Sequence, residues 1–397
     1  MAGSVANLSA RGTSTGSAMA RSPTDTSSVK RVALIAPDGL SIVRQRSGLT
    51  SEILKRRHSI LALVPEQFAH HIPEMNERGL AAATFPMRGP EPALLADRKS
   101  VAAIAALLAD WRAHVVLSSG AKTMLLGSMA AKRAEVSRTV GLVTALAPQL
   151  MSDDQAEPAW GWRRLMKAGL GRCDAIVFHN EAHRRRVEAL QLLKPNCEVQ
   201  VVNGAGVDLV HHAMQSLPPL VNQGDAALNF AMIARLDAAK GVIEFCEAAA
   251  VVKKSAPDTR FILCGPDGDV DRDALSRYRA SVEIVADQAD VRPLLAAAHV
   301  IVLPSWGEAM PRVLLEALAT GRPVITTNRP GTRETVDERV NGVLVQPKDV
   351  AGLAAAMQSF LRRPDLIPAM ARASRSKAER RFGVAPVNTT LLKVLGL

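Results

Sequence analysis

The stretch that decides the fold is Val300-Ile-Val-Leu-Pro-Ser-Trp-Gly-Glu-Ala-Met-Pro-Arg-Val-Leu-Leu-Glu-Ala-Leu-Ala319. It begins with a short apolar run that ends at Leu303, and a pattern with helical spacing starts near Pro311. Proline suits the first turn of a helix, and Gly321 stands just past the end of this one. A buried strand, a loop and a helix in this order are typical of an α/β protein with a parallel sheet.

The same alternation of strand and helix patterns extends over the chain from Lys30 onwards. Apolar runs predict strands at residues 31–36, 59–64, 115–117, 139–144, 174–178 and 199–202, and again at 229–233, 261–264, 282–285, 300–303, 324–326 and 342–345. Helical patterns lie between most of these runs. We therefore predict an α/β fold with two Rossmann-like domains that face each other across a cleft.

The chain divides into five segments. Residues 1–29 are rich in Ser, Thr, Ala and Gly, which predicts a disordered N-terminal segment. Residues 206–224 contain Pro218-Pro219 and show no clear periodicity, which indicates a linker. This leaves a first domain at 30–205, a second domain at 225–364, and a C-terminal helical segment at 365–397 that we expect to pack back on the first domain.

The composition excludes several classes of function. Of the 397 residues, 48% are hydrophobic, as expected for globular domains, and only 3% are aromatic, which leaves few stacking platforms for nucleic acid. The four cysteines form no CxxC pair, and no apolar run reaches the roughly 20 residues of a membrane span. We therefore expect a cytoplasmic protein that binds no nucleic acid.

The positive charge of the chain is concentrated in its first half. The formal net charge is +11, and residues 30–200 hold 24 Lys and Arg against 16 Asp and Glu. Such a surface favours anionic lipid, nucleic acid or a phosphorylated acceptor. This leaves open a peripheral contact with the inner face of an anionic membrane, and equally an ordinary solvated basic face.

The loop and helix at 304–319 carry the strongest candidate site. Backbone N–H groups at a helix start favour a phosphate or an electron-rich oxygen, and the helix that starts near Pro311 offers such groups. Glu308 in the loop and Glu316 in the helix supply two carboxylates, one for sugar hydroxyls and one for ribose hydroxyls. An ordinary amphipathic helix with exposed glutamates is the alternative.

A second candidate site is Ala234-Arg-Leu-Asp-Ala-Ala-Lys-Gly241, which follows a predicted strand. Arg235 offers a planar fork for phosphate oxygens and Lys240 a mobile point charge, so together they would neutralise a diphosphate leaving group without a metal ion. A solvated helix start is the alternative. The acidic residues between Asp267 and Asp273 follow a Gly-Pro turn and indicate a solvated loop, so we predict no metal site.

A third and weaker signal is Asn203-Gly-Ala-Gly-Val-Asp208. Glycines after a strand, Gly206 among them, permit a tight turn and a close approach of the backbone to a ligand. Many turns between domains have the same pattern.

Taken in order, the motifs of the second half resemble the donor-binding domain of glycosyltransferase family 4, the retaining enzymes of GT-B architecture. The resemblance covers about residues 200–362. The first half resembles capsule and exopolysaccharide members more loosely, at residues 41–46 and 121–141. The matching motifs of the second half are residues 203–208, 234–241, 304–311, 314–317, 321–327 and 341–345.

The resemblance implies a retaining hexosyltransferase that moves a sugar from a UDP- or GDP-sugar to a lipid-linked or polysaccharide acceptor. It implies that Arg235 and Lys240 bind the donor diphosphate, that Glu308 contacts the transferred sugar, and that Glu316 holds the ribose. The backbone at Met310 and Pro311 would lie along the sugar and the phosphates. The phosphate of the leaving group would help to accept the acceptor proton, so the reaction would need neither a cofactor nor a protein nucleophile.

Three alanines depart from the pattern of similar enzymes. Ala309 stands where the family commonly has glycine, and Ala145 and Ala147 replace two glycines after a first-domain strand. These positions motivate an alternative, a non-catalytic GT-B protein that binds sugar nucleotides; a GT-B epimerase is a further one. Similar enzymes often carry a first-domain histidine in that loop, and the nearby candidates in this chain are His114, His179 and His183.

Overall fold

A computed structural model describes residues 29–89, 91–144, 159–219 and 227–397. Most of the predicted disordered segment, residues 1–28, lies outside the described residues. So do Ala145 and Ala147 and the end of the predicted linker, residues 220–224.

The first domain is built on a seven-stranded parallel sheet with the strand order β3-β2-β1-β4-β5-β6-β7. Its central strand β1 pairs in parallel with both β2 and β4. The strands are β1 (Arg31–Ile35), β2 (Ser59–Pro65), β3 (Ala81–Phe85), β4 (Val115–Ser119), β5 (Arg138–Val143), β6 (Ala175–Phe178) and β7 (Glu198–Val201).

Helices cover both faces of this sheet. Two apolar clusters lie on the two faces, one beneath α4, α5 and α6 and the other beneath α2 and the C-terminal helix α14. The helices between the strands are α1 (Gly39–Val43), α2 (Ser47–Lys55), α3 (Ile72–Glu77), α4 (Leu94–Trp111), α5 (Ala121–Arg133), α6 (Trp160–Leu170) and α7 (Glu181–Ala189).

The second domain repeats this design with a six-stranded parallel sheet of order β10-β9-β8-β11-β12-β13. Its strands are β8 (Asn229–Ile233), β9 (Arg260–Cys264), β10 (Glu283–Val285), β11 (Val300–Leu303), β12 (Val324–Thr327) and β13 (Gly342–Val345). Its helices, with those of the C-terminal segment, are α8 (Val242–Lys253), α9 (Arg272–Leu275), α10 (Arg292–Ala297), α11 (Arg312–Ala319), α12 (Val350–Arg362), α13 (Ile367–Lys377) and α14 (Val384–Leu395). The predicted fold class of two Rossmann-like domains is confirmed.

The apolar runs that predicted the strands are buried because helices lie on both faces of each sheet. All four residues of β11 are buried, as are Val32 to Ile35 of β1. One strand, β3, was not predicted from the sequence. Its sequence, Ala-Ala-Ala-Thr-Phe, has little β-branched character, and it lies at the edge of the sheet where four of its five residues are only half-buried.

The chain crosses between the domains twice, and the two crossings lie side by side. Val207 pairs with Gly383, with its N–H 2.7 Å from the carbonyl oxygen of Phe382 and its own carbonyl accepting from Val384 N–H at 3.0 Å. Before the second crossing, α13 packs on α11 of the second domain; after it, α14 packs against α2, β4 and β5 of the first.

Two arginines hold the first crossing segment on the second domain. Arg322 is fully buried, and its guanidinium donates to the carbonyl oxygens of Gln215 at 3.0 Å and Ser216 at 2.7 Å, besides four carbonyls of its own domain. Arg375 donates to the carbonyls of Leu209 and His212. Residues 209–216 of the predicted linker are therefore packed on the second domain.

None of the helices in the described ranges has the length and apolarity needed to cross a bilayer.

Replacing Arg322 by Lys should destabilise the protein, because an ammonium cannot reproduce the planar set of donors and leaves several buried carbonyls without partners. We expect a loss of about 2–4 kcal/mol in the free energy of unfolding, measured by urea denaturation. Arg260→Lys is the matched control, because Arg260 is exposed and has one partner, Glu283. Equal stability of the two variants would contradict this role.

Candidate active site

Each sheet reverses its strand order at one point, and the loops that follow the strands there open a crevice. In the second domain the reversal lies between β8 and β11. Ligands of doubly wound sheets bind at the carboxyl ends of the strands at such a point. The loop after β8 ends in Lys240 and the loop after β11 contains Glu308, so the topology brings two of the predicted site residues together.

Lys240 and Glu308 form an ion pair across this crevice. The Ser305 hydroxyl lies 3.3 Å from the same carboxylate oxygen, Glu308 Oε1. The Glu308 side chain keeps 15% of its surface exposed and that of Lys240 keeps 29%, so both remain accessible to a ligand. The pair places a cation and a carboxylate side by side at the mouth of the second domain.

The loop that carries Glu308 is fixed to its surroundings. The Trp306 N–H donates to the Ala239 carbonyl at 2.9 Å, and the Trp306 indole N–H donates to Glu244 at 2.7 Å. Gly331 packs against the other side of the loop, where a Cβ would stand 2.0 Å from the Glu308 carbonyl oxygen. The position of Glu308 therefore depends on contacts from three other segments.

Arg235 lies at the same edge of the sheet but is held differently. Its guanidinium pairs with Asp237, with Nε 2.7 Å from Oδ2, and 63% of its side chain is exposed. Asp237 is buried and also accepts from the N–H of Asp269 at 3.3 Å. In the described part of the chain no hydrogen bond or ion pair joins Arg235 to Lys240 or Glu308, so the structure does not bring all three predicted catalytic residues into direct contact.

Glu316 lies in α11 and faces the gap between the domains. Its Oε1 accepts from Arg312 Nη2 at 2.7 Å and lies 3.7 Å from His212 Nε2. Burial lowers the pKa of His212, although the Glu316 carboxylate acts in the opposite direction. Oε2 of Glu316 accepts no hydrogen bond from the described residues and so is available to a hydroxyl group.

A cavity of about 570 Å³ separates the two domains in front of Glu316. The first domain contributes Arg44 and Arg78 to its wall, and the second contributes Arg312 and Asp290. Gly206, at the crossing, also lines it. Gly206 has φ +74°, and a Cβ there would stand 2.6 Å from Val384 Cα, so the interdomain crossing itself requires this glycine.

Met310 and Pro311 connect the Glu308 loop to α11. Helix α11 begins at Arg312, one residue later than the sequence pattern suggested, and Pro311 is its N-cap residue. No side chain caps this helix start, which leaves N–H groups of its first turn available to an anion. Met310 packs against Gly204, where a Cβ would stand 2.4 Å from Met310 Cγ.

One hydrogen bond ties this loop to the first domain. Asn180 Nδ2 donates to the Ala309 carbonyl oxygen at 2.7 Å, and the Asn180 Oδ1 caps α7. Ala309 is 5% exposed and is not among the residues that line the cavity. Asn180 and Arg312 were not predicted as site residues; the position of Asn180 directly after strand β6 was the available signal.

The three candidate histidines lie in different places. His114 precedes β4, at the edge opposite the cleft, and accepts from the Arg31 N–H at 3.0 Å, so this candidate is wrong. His179 is buried, and its Nε2 accepts from Arg46 Nη2 at 3.0 Å; burial and this cation keep the pKa of His179 well below the usual value. Burial lowers the pKa of His183 to about 4, so it is neutral near pH 7.

Comparisons with known proteins show which proteins the chain is similar to. The model of the family described as "Glycosyl transferases group 1" matches residues 227–363. UDP-Gal:alpha-D-GlcNAc-diphosphoundecaprenol alpha-1,3-galactosyltransferase of Escherichia coli is 27% identical over 284 residues, which are 66% of this chain and 70% of that enzyme. N,N'-diacetylbacillosaminyl-diphospho-undecaprenol alpha-1,3-N-acetylgalactosaminyltransferase of Campylobacter jejuni is 23% identical over 348 residues, 83% of this chain and 89% of that enzyme.

Over its second domain the chain is similar to the group 1 glycosyltransferases. Among solved structures, Anabaena HepE in complex with UDP superposes with a TM-score of 0.72 at 16% identity, covering 93% of this chain and 100% of that one. The predictions of a GT-B glycosyltransferase and of a hexosyltransferase-type enzyme are confirmed. The roles assigned to individual residues of this glycosyltransferase stay predictions.

Replacing Gly331 by Ala should displace the Glu308 loop, because the new methyl would collide with the Glu308 carbonyl and also lie 2.6 Å from that of Ala309. We expect a loss of about 1–3 kcal/mol in the free energy of unfolding, and a change in Trp306 fluorescence. Gly89→Ala is the control: this glycine also has positive φ, but nothing lies within 4 Å of its Cβ position. A Gly331 variant no less stable than the control would contradict the steric argument.

Proposed function

We propose that this glycosyltransferase moves a hexosyl group, with retention of configuration, from a nucleotide-diphosphate sugar to a lipid-linked or polysaccharide acceptor in surface polysaccharide biosynthesis. The observation that carries the proposal is the Lys240–Glu308 pair at the switch point of the second domain, on the loop that leads into α11 and its cavity-lining residues Arg312 and Glu316. One cation and one carboxylate at this edge suit a donor that has a diphosphate and a sugar.

The residues around the crevice supply groups for each part of such a donor. Lys240, Arg235 and the uncapped start of α11 would hold the diphosphate oxygens. Glu308 would accept from sugar hydroxyls. Glu316, with its Oε2 unoccupied, would accept from the ribose hydroxyls, and Arg312 would hold that carboxylate in place.

The proposed reaction proceeds on one face of the sugar. The acceptor hydroxyl oxygen forms a bond to C1 as the bond from C1 to the phosphate oxygen breaks. The acceptor proton passes to an oxygen of the departing diphosphate, which is why no protein nucleophile or dedicated base is needed. Lys240 and Arg235 would stabilise the negative charge that develops on the leaving nucleotide, in the manner of preorganised electrostatic catalysis.

UDP-sugars are the first donors to test. The galactosyltransferase of E. coli carries UDP-Gal in its name, and the HepE structure contains UDP. Both bacterial relatives named above act on diphosphoundecaprenol-linked acceptors, which supports a lipid-linked acceptor for this chain. The alternative, a non-catalytic protein that binds sugar nucleotides, rests on Ala145, Ala147 and Ala309. The first two lie outside the described residues, and Ala309 is buried and does not line the cavity.

Donor binding should raise the unfolding temperature of the wild-type protein. A ligand at 100 times its dissociation constant stabilises by about 2.7 kcal/mol, which thermal-shift measurements with UDP-galactose and UDP-glucose would detect. We expect Lys240→Met to remove most of this shift. Lys254→Met is the control, because Lys254 is exposed and lies at the opposite end of α8 from Lys240. A full shift in the Lys240 variant would contradict the assigned role.

Sugar transfer should depend on Glu308 more strongly than donor binding does. We expect Glu308→Gln to lower kcat/KM about 10²–10³-fold, measured by release of UDP in the presence of a diphosphoundecaprenol-linked acceptor. If the wild-type protein binds UDP-sugars but transfers sugar to none of the lipid-linked or polysaccharide acceptors, the non-catalytic alternative is correct instead.

Transfer should also continue in the presence of EDTA, because Arg235 and Lys240 are proposed to take the place of a metal ion at the diphosphate. The measurement is the initial rate with EDTA against the rate with added Mg²⁺ or Mn²⁺. Abolition by EDTA and recovery with metal would overturn the assignment of a metal-independent donor site.

A further inference from the structure

A groove on the outer face of the first domain contains side chains that the candidate active site does not use. It lies between α4, α5 and α6 and has a volume of about 550 Å³. Its floor is apolar, with Val101 from α4, Met129 from α5 and Leu165 from α6. We call this surface, together with the first turns of α4 and α6, the α4–α6 face.

Three large apolar side chains are exposed on this face. Leu94 is 62% exposed, Leu95 is 74% exposed, and Trp160 is 74% exposed. Leu94 and Trp160 both line the groove, from the first turns of α4 and α6. Exposed apolar side chains that cluster in this way mark an interaction surface, and tryptophan is favoured at the boundary between water and lipid.

The charged side chains of the groove are almost all basic. Arg98, Arg133 and Arg164 line it, and among the described residues none of them forms an ion pair with a carboxylate. Arg164 lies over the ring of Trp160, 5.3 Å from its centroid. The acidic residue in the wall, Asp97, is buried and paired with Lys122 at 2.8 Å, so it does not neutralise the arginines.

The topology places this face beside the cleft. Helix α4 follows β3 and helix α6 follows β5, so the first turn of each helix lies at the carboxyl edge of the parallel sheet. The interdomain cavity opens at the same edge. Whatever binds at Leu94, Leu95 and Trp160 is therefore held at the edge of the first sheet on which the cavity opens.

We propose that the α4–α6 face docks the first domain on the surface of an anionic bilayer. Leu94, Leu95 and Trp160 insert among the lipid headgroups, and the three arginines bind anionic headgroups around them. Apolar side chains surrounded by arginines that pair with no carboxylate of the described chain match this surface in both polarity and charge. The role of this docking rests on the proposed function, in which a lipid-linked acceptor held in the bilayer enters the cleft at the carboxyl edge of the first sheet.

The test is sedimentation of the full chain with vesicles of phosphatidylcholine alone, and with vesicles that contain phosphatidylglycerol. We expect the wild-type protein to bind the anionic vesicles and to bind the neutral ones at least tenfold more weakly. The double variant Leu94→Ser with Arg98→Glu should bind the anionic vesicles at least tenfold more weakly than wild type.

The matched control is the double variant Val251→Ser with Lys254→Glu on α8 of the second domain. It removes one exposed aliphatic side chain and changes the net charge by the same amount, since Val251 is 43% exposed and Lys254 is also exposed. We expect its binding to stay within twofold of wild type. Equal losses in the two variants would show a general effect of net charge and overturn the proposal.

Trp160 provides a second, positional readout. Vesicles with brominated lipid chains should quench part of the tryptophan fluorescence of the wild-type protein, and Trp160→Phe should remove most of that quenching. Quenching that is unchanged in Trp160→Phe would place the lipid contact elsewhere. A further outcome would overturn the proposal: the wild-type protein binds no vesicles but self-associates, and Leu94→Ser with Arg98→Glu abolishes the self-association. This face would then be an interface between copies of the chain.

Failure of this inference and failure of the proposed function are distinguishable. Vesicle binding needs no donor and no sugar transfer, and we expect the Leu94–Arg98 variant to keep the full thermal shift with UDP-sugars. Intact vesicle binding in a protein that transfers no sugar would reject the proposed function alone. Transfer to a lipid-linked acceptor with no vesicle binding would reject only the inference drawn from the α4–α6 face.

Discussion

The ion pair between the Lys240 ammonium and the Glu308 carboxylate joins the two loops that begin where the strand order of the second sheet reverses. In a parallel sheet the helices after the two central strands pass to opposite faces, so the loops between strand and helix separate and leave a crevice. The pair bridges this crevice with opposite charges that are half-buried and still accessible. Contacts from Trp306, Ser305 and Gly331 all serve to keep the Glu308 loop in that position.

The packing of the first crossing segment on the second domain depends on a different kind of contact, between a buried cation and backbone carbonyls. Arg322 has no carboxylate partner among the described residues and donates instead to six carbonyl oxygens, two of them in the crossing segment. Burial lowers its pKa to about 10, which still leaves it charged near pH 7. A motif residue that could be taken for a ligand-binding cation therefore has a structural role.

The two domains contribute differently to the charge of the molecule. On the cleft wall the first domain presents Arg44 and Arg78, whereas the second presents mostly carboxylates, with Arg312 bound to Glu316. On its outer face the first domain again presents arginines without carboxylate partners in the described chain. Part of the basic excess that composition places in residues 30–200 thus lies on the cleft wall and on the α4–α6 face.

The sequence by itself determined the fold class and the candidate residues of the second domain, because buried parallel strands are apolar runs and the motifs stand directly after them. It did not reveal β3, whose alanines become a strand only by pairing with β2 at the sheet edge. The Lys240–Glu308 pair joins residues 68 positions apart, and the bond from Asn180 to Ala309 spans 129. Only the tertiary structure decided that these side chains meet, that Arg235 turns to Asp237, and that Leu94 and Trp160 share one exposed surface. Local sequence patterns reflect secondary-structure propensity and burial, whereas contacts between distant segments depend on how helices and sheets pack.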